Sequence, residues 1–503
     1  MSTIDTEGLA EYDLFVDGRF RASSGDDRID VSFPYDGTVW ATVPDGTAAD
    51  VDTAVGVARA AFESDAWGDA KPSDRRVILN QIADTIDANT RELAELETLQ
   101  NGKLLREMEQ QMEALGEWYR YYGRICEEVE SGRTIPVDKK DGQMFNYVRH
   151  EPYGVVGAIT AWNSPLLLTA WKFAPALAAG NTVVQKPSEE TPVSALRFAE
   201  LVYEHTDLPP GVYNVVPGYG HTGAALTAHP DVDKLAFTGS TAVGREVAKT
   251  AGENLTKVSL ELGGKSPNVI FPDADLNDAV NGVMKGIFAA TGQTCMAGSR
   301  VLVHEDVHEE VVARLTEKAS DIKLGDPRDP ETEMGPVAFR GQWETVHEYV
   351  QSGLAEGATI TVGGEMPADQ PGECFIQPTV FVDVENDMTV AREEIFGPVA
   401  SVISFEDEAA ALDIANDTEF GLAAAIWTRD MDRANRFVET VQAGTVWVNE
   451  YRLIAPNSPF GGYKASGLGR ENGREGLEEY YQTKSVWYNH AGEVGDPFVL
   501  DAE

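Results

Sequence analysis

Lys234-Leu235-Ala236-Phe237-Thr238-Gly239-Ser240-Thr241-Ala242-Val243-Gly244 is the stretch on which the fold turns. Residues 234–237 read as a short apolar strand, a small polar turn follows, and 242–251 continue with helical spacing. Glycine in such a turn admits close backbone approach, and the N–H groups opening the helix suit a pyrophosphate. The spacing is not GxGxxG, so alone the turn reads equally as a bare strand-to-helix connection. Its neighbours decide. Outward from it, apolar runs at 155–160, 182–186, 212–216 and 257–262 alternate with helical stretches at 165–179, 193–206 and 221–228. Near-continuous apolar strands alternating with helices predict a parallel, doubly wound α/β sheet, with its binding crevice at the strand carboxyl ends. Those ends carry Ala161-Trp162-Asn163, Lys186-Pro187-Ser188-Glu189, Pro217-Gly218, Thr238-Gly239-Ser240-Thr241 and Glu261-Leu262-Gly263-Gly264, all polar or glycine-rich.

Before this sheet, residues 1–50 read as a short β-meander. Helical periodicity runs through 48–128, with 92–123 as one long amphipathic helix. After the sheet, a second α/β unit spans about 265–463. It carries strands at 300–304, 379–382, 399–405, 423–428 and 444–448, a helix near 342–356 and a hairpin at Gly363-Gly364. The run 481–488 is strand-like and could pair with 143–150, in the same subunit or another.

The chain has 503 residues, too many for one core. Hydrophobic content of 42% with 25 scattered prolines reads as globular. No apolar run reaches the roughly 18 residues that mark a membrane span. The first residues lack a basic segment followed by an apolar one, so no signal peptide is expected. The cysteines, Cys126, Cys295 and Cys374, are odd in number, far apart and without CxxC or Cys/His spacing. The expectation is a reducing cytoplasm, no structural disulfide and no metal site. Acidic residues number 83 against 40 basic, a net charge of −43. Pairs such as Asp26-Asp27, Glu309-Glu310 and Glu478-Glu479 spread that acid along the whole chain. This argues for a solvated surface and against nucleic acid. It also points to a high-salt cytoplasm, where screening suppresses self-repulsion.

In Gly292-Gln293-Thr294-Cys295-Met296-Ala297-Gly298, one cysteine stands between glycines after the helix-like run 278–290. A thiol there can face a cleft with a free backbone N–H beside it, as a nucleophile needs. A lone cysteine is more often a small buried hydrophobe. Lys186 and Glu189, three apart, could grip two ribose hydroxyls; in isolation a surface ion pair with a helix N-cap is the plainer reading. Asn163 before Pro165 reads as a helix N-cap. Glu261 reads as a strand-end carboxylate, which the following Gly-Gly places at a cleft edge.

Taken together, Ala161-Trp162-Asn163-Ser164-Pro165, Lys186-Pro187-Ser188-Glu189, Phe237-Thr238-Gly239-Ser240, Leu260-Glu261-Leu262-Gly263-Gly264-Lys265-Ser266-Pro267, Gly292-Gln293-Thr294-Cys295, Glu394-Ile395-Phe396-Gly397-Pro398 and Pro459-Phe460-Gly461-Gly462-Tyr463-Lys464 resemble the NAD(P)-dependent aldehyde dehydrogenase superfamily. The blocks follow the family's order across nearly the whole chain. The resemblance implies a Rossmann-like cofactor domain (1–131 and 152–263), an α/β catalytic domain (264–463) and a small β oligomerisation arm (132–151 and 479–498). It implies Cys295 as nucleophile, its N–H with the Asn163 amide as oxyanion hole, and Glu261 as the base that activates water. It places Lys186 and Glu189 on the adenine ribose, and Trp162 and Ser240 at the phosphates beside Thr238 and Gly239. Glu394 and Phe396 fall on the nicotinamide ribose, and Ser188, Gly244 and Leu262 complete the cofactor set. Glu189 would repel a 2′-phosphate, which favours NAD while leaving NADP open.

Trp171, Met296, Ile454 and Phe460 would line a mostly apolar aldehyde tunnel. No arginine pair stands there, which argues against a dicarboxylic semialdehyde; Arg452 keeps that substrate open. Asn449-Glu450-Tyr451-Arg452 departs from the commoner Asn-Cys-Tyr type. The implied partners are a small aldehyde and further copies of the chain, as a dimer or tetramer, with no nucleic acid and no membrane. A CoA-acylating relative, or a catalytically silent member of the fold, are the competing readings, and Glu261 speaks against the first.

Overall fold

The computed structural model describes residues 8–139, 142–367, 369–492, 494 and 498. Its organising element is an eight-stranded sheet. From one edge to the other it runs Gly467–Leu468, Lys257–Glu261, Lys234–Thr238, Val155–Thr160, Thr182–Pro187, Tyr213–Val215, Leu14–Val16 and Arg19–Arg21. The five inner strands are parallel, and both edges are closed by antiparallel partners. Val155–Thr160, Thr182–Pro187 and Lys234–Thr238 are buried almost throughout, as strands covered on both faces must be. Chain order reverses between Val155–Thr160 and Lys234–Thr238, so the connections leaving these two neighbours diverge and open a crevice.

Helices pack on this sheet. Pro165–Ala178 starts with proline in its first turn and is buried at every position. The run 92–123, read as one helix, is two: Thr90–Asn101 and Leu105–Glu130. Gly102, at φ +74°, takes the left-handed C-cap and its N–H bonds to the Thr98 carbonyl, which ends the first helix. The expected meander over 1–50 is divided as well. The hairpin Leu14–Val16/Arg19–Arg21 extends the large sheet, whereas Ala10–Glu11, Val39–Pro44 and Arg28–Ser32 form a sheet of their own.

A seven-stranded sheet follows, ordered Thr359–Val362, Thr379–Val382, Val399–Phe405, Arg300–His304, Pro267–Ile270, Ala423–Trp427 and Thr445–Val448. Only its first pair is antiparallel. Pro267–Ile270 is a strand absent from the sequence reading, because it is four residues long and begins with proline three residues after Gly264. Gly363-Gly364 does not make a tight hairpin, since the partner of Thr359–Val362 begins only at Thr379. The chain finally returns to the first sheet. Gly467 pairs with Glu261, and the Leu262 N–H donates to the Ser466 carbonyl. One apolar core runs through both units, from Phe173 and Tyr213 to Met296 and Phe460.

Tyr481–Asn489 pairs antiparallel with Met144–Pro152 in the same chain, and Arg133–Ile135 adds a third strand. Of the spans expected for the three domains, residues 1–7, 140, 141, 368, 493 and 495–497 lie outside the described residues. Among the described residues no helix is long and apolar enough to cross a membrane, and no His/Cys/Asp/Glu cluster could hold a metal ion.

Candidate active site

The helix Leu276–Ile287 is capped by the Asp275 carboxylate and leads into a kink. Ala290, Thr291 and Gly292 follow with φ of 54°, 56° and 70°, three left-handed residues in succession, two of them not glycine. Such strain persists only where surroundings enforce it. Here Thr291 Oγ1 donates to the Gly335 carbonyl (3.2 Å), and Gln293 Oε1 accepts from the Ala338 N–H (2.9 Å). A Cβ on Gly292 would collide with the Gly397 carbonyl. Beyond the cysteine, Tyr451 Oη donates to the Met296 carbonyl (2.8 Å). Cys295 is therefore held from both sides. It is half-buried, whereas Cys126 and Cys374 are buried, and all three thiols are free. Burial pushes the Cys295 thiol up to about 12, and the charges of Glu394 and Glu261 add to that; backbone N–H groups at Met296 and Cys295 work the other way.

Asn163 lies in the connection that leaves Val155–Thr160. Its Nδ2 donates to the Gln293 carbonyl at 3.1 Å, which ties the first sheet's carboxyl end to the cysteine turn. The helix N-cap position belongs to Ser164 rather than Asn163, and the Ser164 hydroxyl makes no cap bond. Instead it accepts from Lys103 Nζ (2.8 Å). Glu261 ends its strand, 4% exposed, with neither carboxyl oxygen hydrogen-bonded to any described residue. One of them faces Gly461. Burial first, and then the charge of Glu471, raise its pKa well above the carboxylate range; Lys172 and Arg470 oppose the rise. Glu394 accepts from the Gly264 N–H (3.0 Å) and is raised by burial to about 7.

Lys172 and Glu471 were not singled out from the sequence. Lys172 is fully buried mid-helix, pairs with Glu471 and donates to Thr238 Oγ1 (2.6 Å). One lysine in the otherwise apolar run 165–179 was the available signal, because a buried ammonium demands a partner. Glu97 and Lys103, buried behind Ser164, were missed as well. Burial raises Glu97 to about 7 and lowers Lys103 to about 8.

The crevice holds a cleft of 480 Å³. Trp162, Lys186, Ser188, Glu189, Thr238, Gly239 and Ser240 line it, and Ile159, Val243 and Val247 give it an apolar wall. Lys186 Nζ and Glu189 Oε2 pair at 2.9 Å. Ser240 caps the helix Thr241–Asn254 by accepting from the Val243 N–H (3.3 Å). Gly244 and Leu262 do not line the cleft. A Cβ on Gly244 would collide with the Leu262 side chain, so this glycine serves helix-on-sheet packing. Glu394 and Phe396 also lie off the cleft lining: Glu394 stands by Gly264, and the Phe396 ring meets Trp162 edge-on at 5.1 Å. Trp171 and Phe460 rings lie 5.1 Å apart in the core that contains Met296, with Cys295 and Ile454 half-buried against it.

A buried-edge thiol, an amide donor and an unpaired carboxyl group thus meet where a nucleotide-sized cleft adjoins a second α/β unit. A thiol, an amide donor and a carboxyl group are the kinds of group that chemistry at a carbonyl carbon uses. The aldehyde dehydrogenase family model matches residues 20–486. The aldehyde dehydrogenase of Enchytraeus buchholzi is 47% identical over 483 residues, covering 94% of this chain and 95% of its own. The mitochondrial aldehyde dehydrogenase of Homo sapiens is 47% identical over 461 residues, 90% of this chain and 87% of its own. Among solved structures, the NAD+ complex of a Bacillus cereus aldehyde dehydrogenase is similar with a TM-score of 0.92 at 44% identity, over 95% of this chain and 96% of that one. Staphylococcus aureus betaine aldehyde dehydrogenase, in complex with NAD+, gives 0.94 at 38% identity over 97% of each chain. The chain belongs to the aldehyde dehydrogenase family, and it is an oxidoreductase acting on aldehydes.

Proposed function

We propose that this chain oxidises an aldehyde to the carboxylic acid with NAD, by attack of Cys295 and hydrolysis of the resulting thioester. The observation that carries the proposal is the junction itself: Asn163, from the cofactor sheet, hydrogen-bonds the turn that presents Cys295. As the Cys295 sulfur adds to the carbonyl carbon, the carbonyl oxygen gains charge. In this proposal the Cys295 N–H and Asn163 Nδ2 are the donors that stabilise it, with Asn163 held by its bond to the Gln293 carbonyl. Burial raises the thiol pKa, so the thiol proton passes to solvent as the C–S bond forms. When bound, NAD supplies the hydride acceptor that takes the carbon from aldehyde to acyl level. Glu261 then takes a proton from the water that attacks the thioester. A carboxyl group whose pKa is raised by burial is a stronger base once ionised than an exposed one.

The cleft suits the dinucleotide. The apolar slot between Ile159 and Val247 fits an adenine, the Lys186–Glu189 pair lies within it for the ribose, and the Ser240 turn opens a helix for the pyrophosphate. Glu189 would repel a 2′-phosphate, which favours NAD over NADP. Further copies of the chain fit the arm: Tyr481–Asn489 is an edge strand, and Phe145, Trp487 and Tyr488 are exposed on it and its neighbour. The acid-rich surface and free thiols favour a high-salt cytoplasm.

The test is NADH formation from a panel of aldehydes, with NAD and NADP in parallel and CoA omitted. Acid formation without CoA is expected. Glu261→Gln should give one burst of NADH per active site followed by slow turnover, because acylation precedes the need for this base. Absolute dependence on CoA would overturn the hydrolytic reading, and unchanged NADH production by Cys295→Ala would overturn the nucleophile.

A further inference from the structure

Arg452 is a half-buried guanidinium with no hydrogen bond or ion pair to any described residue. Its place is fixed. Tyr451, the preceding residue, is buried and bonds the Met296 carbonyl beside Cys295. Trp447 Nε1 donates to the following carbonyl, that of Leu453 (3.0 Å). Asn449 is tied through its side-chain amide to Thr428, and both Asn449 (φ 54°) and Arg452 (φ 67°) take left-handed backbone. The nearest carboxylate in sequence, Glu450, is already engaged by Lys285 Nζ (2.7 Å) and by the Tyr451 N–H (2.8 Å). Arginine is the residue suited to planar recognition of carboxylates, so a half-buried, unpaired one on an anchored, left-handed backbone, next to the tyrosine that bonds the Met296 carbonyl, points to an anionic ligand.

A second cation faces the same place. Lys103 is buried, with its Nζ on the Ser164 hydroxyl, one residue from Asn163. Its ammonium feels the charge of Arg452 more strongly than that of any other residue, and it also feels Cys295. Glu107 and Glu97 act on Lys103 in the opposite sense, only partly offsetting its charge. Arg452 is left as the free positive charge, two residues before Ile454, which packs against the apolar core that holds Trp171 and Phe460.

We infer that the preferred substrate is an aldehyde carrying a carboxylate at its far end, with the aldehyde at Cys295, the carboxylate on Arg452 and Lys103 strengthening the local positive potential. The inference rests on the reading of the site above, and it reverses the weight that the missing arginine pair gave against such substrates: the second cation is a lysine from a distant part of the chain.

The experiment compares kcat/KM for succinic and glutaric semialdehydes with butanal and pentanal, at one KCl concentration, in the wild type and in Arg452→Gln, Arg452→Lys and Arg452→Asp. One charge-assisted contact corresponds to about tenfold to a hundredfold in affinity. The expected wild-type preference for the carboxylated aldehyde is of that order, through KM. Arg452→Gln should remove it while leaving pentanal oxidation within about twofold, Arg452→Lys should restore part, and Arg452→Asp should turn it into discrimination against the anion. Calorimetry with glutarate on the enzyme alone should show binding that Arg452→Gln abolishes. Equal use of the neutral and carboxylated aldehydes by the wild type, or a preference unchanged in Arg452→Gln, overturns the inference and leaves the aldehyde dehydrogenase reading standing. Failure to oxidise any aldehyde overturns that reading and the inference with it.

Discussion

At the scale of single residues the site is a set of groups held away from their ordinary ionisation. The Cys295 thiol stands at about 12 and Glu394 at about 7, both raised first by burial. The sign of each effect on reactivity follows. The thiolate fraction grows with pH toward the thiol pKa, so the iodoacetamide alkylation rate of the enzyme should keep climbing through the alkaline range. Glu394 is ionised only above about 7, and its charge is one cause of the raised thiol. Glu394→Gln should therefore accelerate alkylation at alkaline pH and leave it unchanged at acid pH. A rate that levels off at neutral pH would show a thiol far more acidic than this environment permits. Asn163→Ala should cost about 10²–10³ in kcat, the usual loss for one oxyanion donor, with less change in KM. That loss is read directly in steady-state assays, and a drop confined to KM would remove Asn163 from the transition state. Cys295 and Asn163 drew attention in the sequence because one sits between glycines after a helix and the other in a strand-to-helix turn, whereas Glu394 was implied only by the family resemblance. Lys172, Glu471, Lys103 and Glu97 were not legible, because their meaning depends on partners far away in the chain. Lys172 and Glu471 illustrate the reason: 299 positions separate them, and only the folded core makes their pairing obligatory.

Elements explain which glycines serve chemistry and which serve packing. Gly239 and Gly244 belong to one strand–turn–helix unit and looked alike as parts of a phosphate turn. Gly239 lines the cleft, and its N–H bonds to the Glu261 carbonyl (3.1 Å), linking the turn to the strand end that bears Glu261. Gly244 lies one turn into the helix, on the face pressed against Leu262. Gly244→Ala should destabilise the fold by about 1–3 kcal/mol through overpacking. Urea unfolding measures this, and an unaltered midpoint would mean that helix and strand have room to separate. The inner strands were readable because burial on both faces makes them continuously apolar. The break at Gly102 was not, since periodicity on both sides of it is helical and only the positive φ divides them. Pro267–Ile270 escaped for the opposite reason: it is too short for any pattern, and it becomes a strand because Arg300–His304 and Ala423–Trp427 flank it on either side.

For the whole molecule, charge outweighs every other feature of the surface. The 40 basic residues face 83 acidic ones, so even complete pairing leaves a large carboxylate excess. The structure shows how the bases are shared. Arg197 serves Glu92, Glu200 and Glu204, and Arg120 serves Asp84, Asp87 and Glu117. Surface pairs of this kind contribute about 0–1 kcal/mol each, too little to offset repulsion summed over the surface. That repulsion is long-ranged at low ionic strength, where the screening length is about 30 Å at 0.01 M, and short-ranged at about 3 Å in 1 M salt. Folding concentrates the carboxylates, and assembly through the Tyr481–Asn489 edge would concentrate them further, so both should strengthen as salt is added. Thermal unfolding followed by intrinsic fluorescence is expected to shift to higher temperature between low and molar KCl. Light scattering over the same range should show a species larger than the 54.6 kDa chain persisting only at the high end. Sodium chloride at equal ionic strength should act alike if screening is the cause, whereas a response to potassium alone would indicate a bound cation. A melting temperature independent of salt, with a monomer throughout, would mean that neither the fold nor the assembly is limited by this charge.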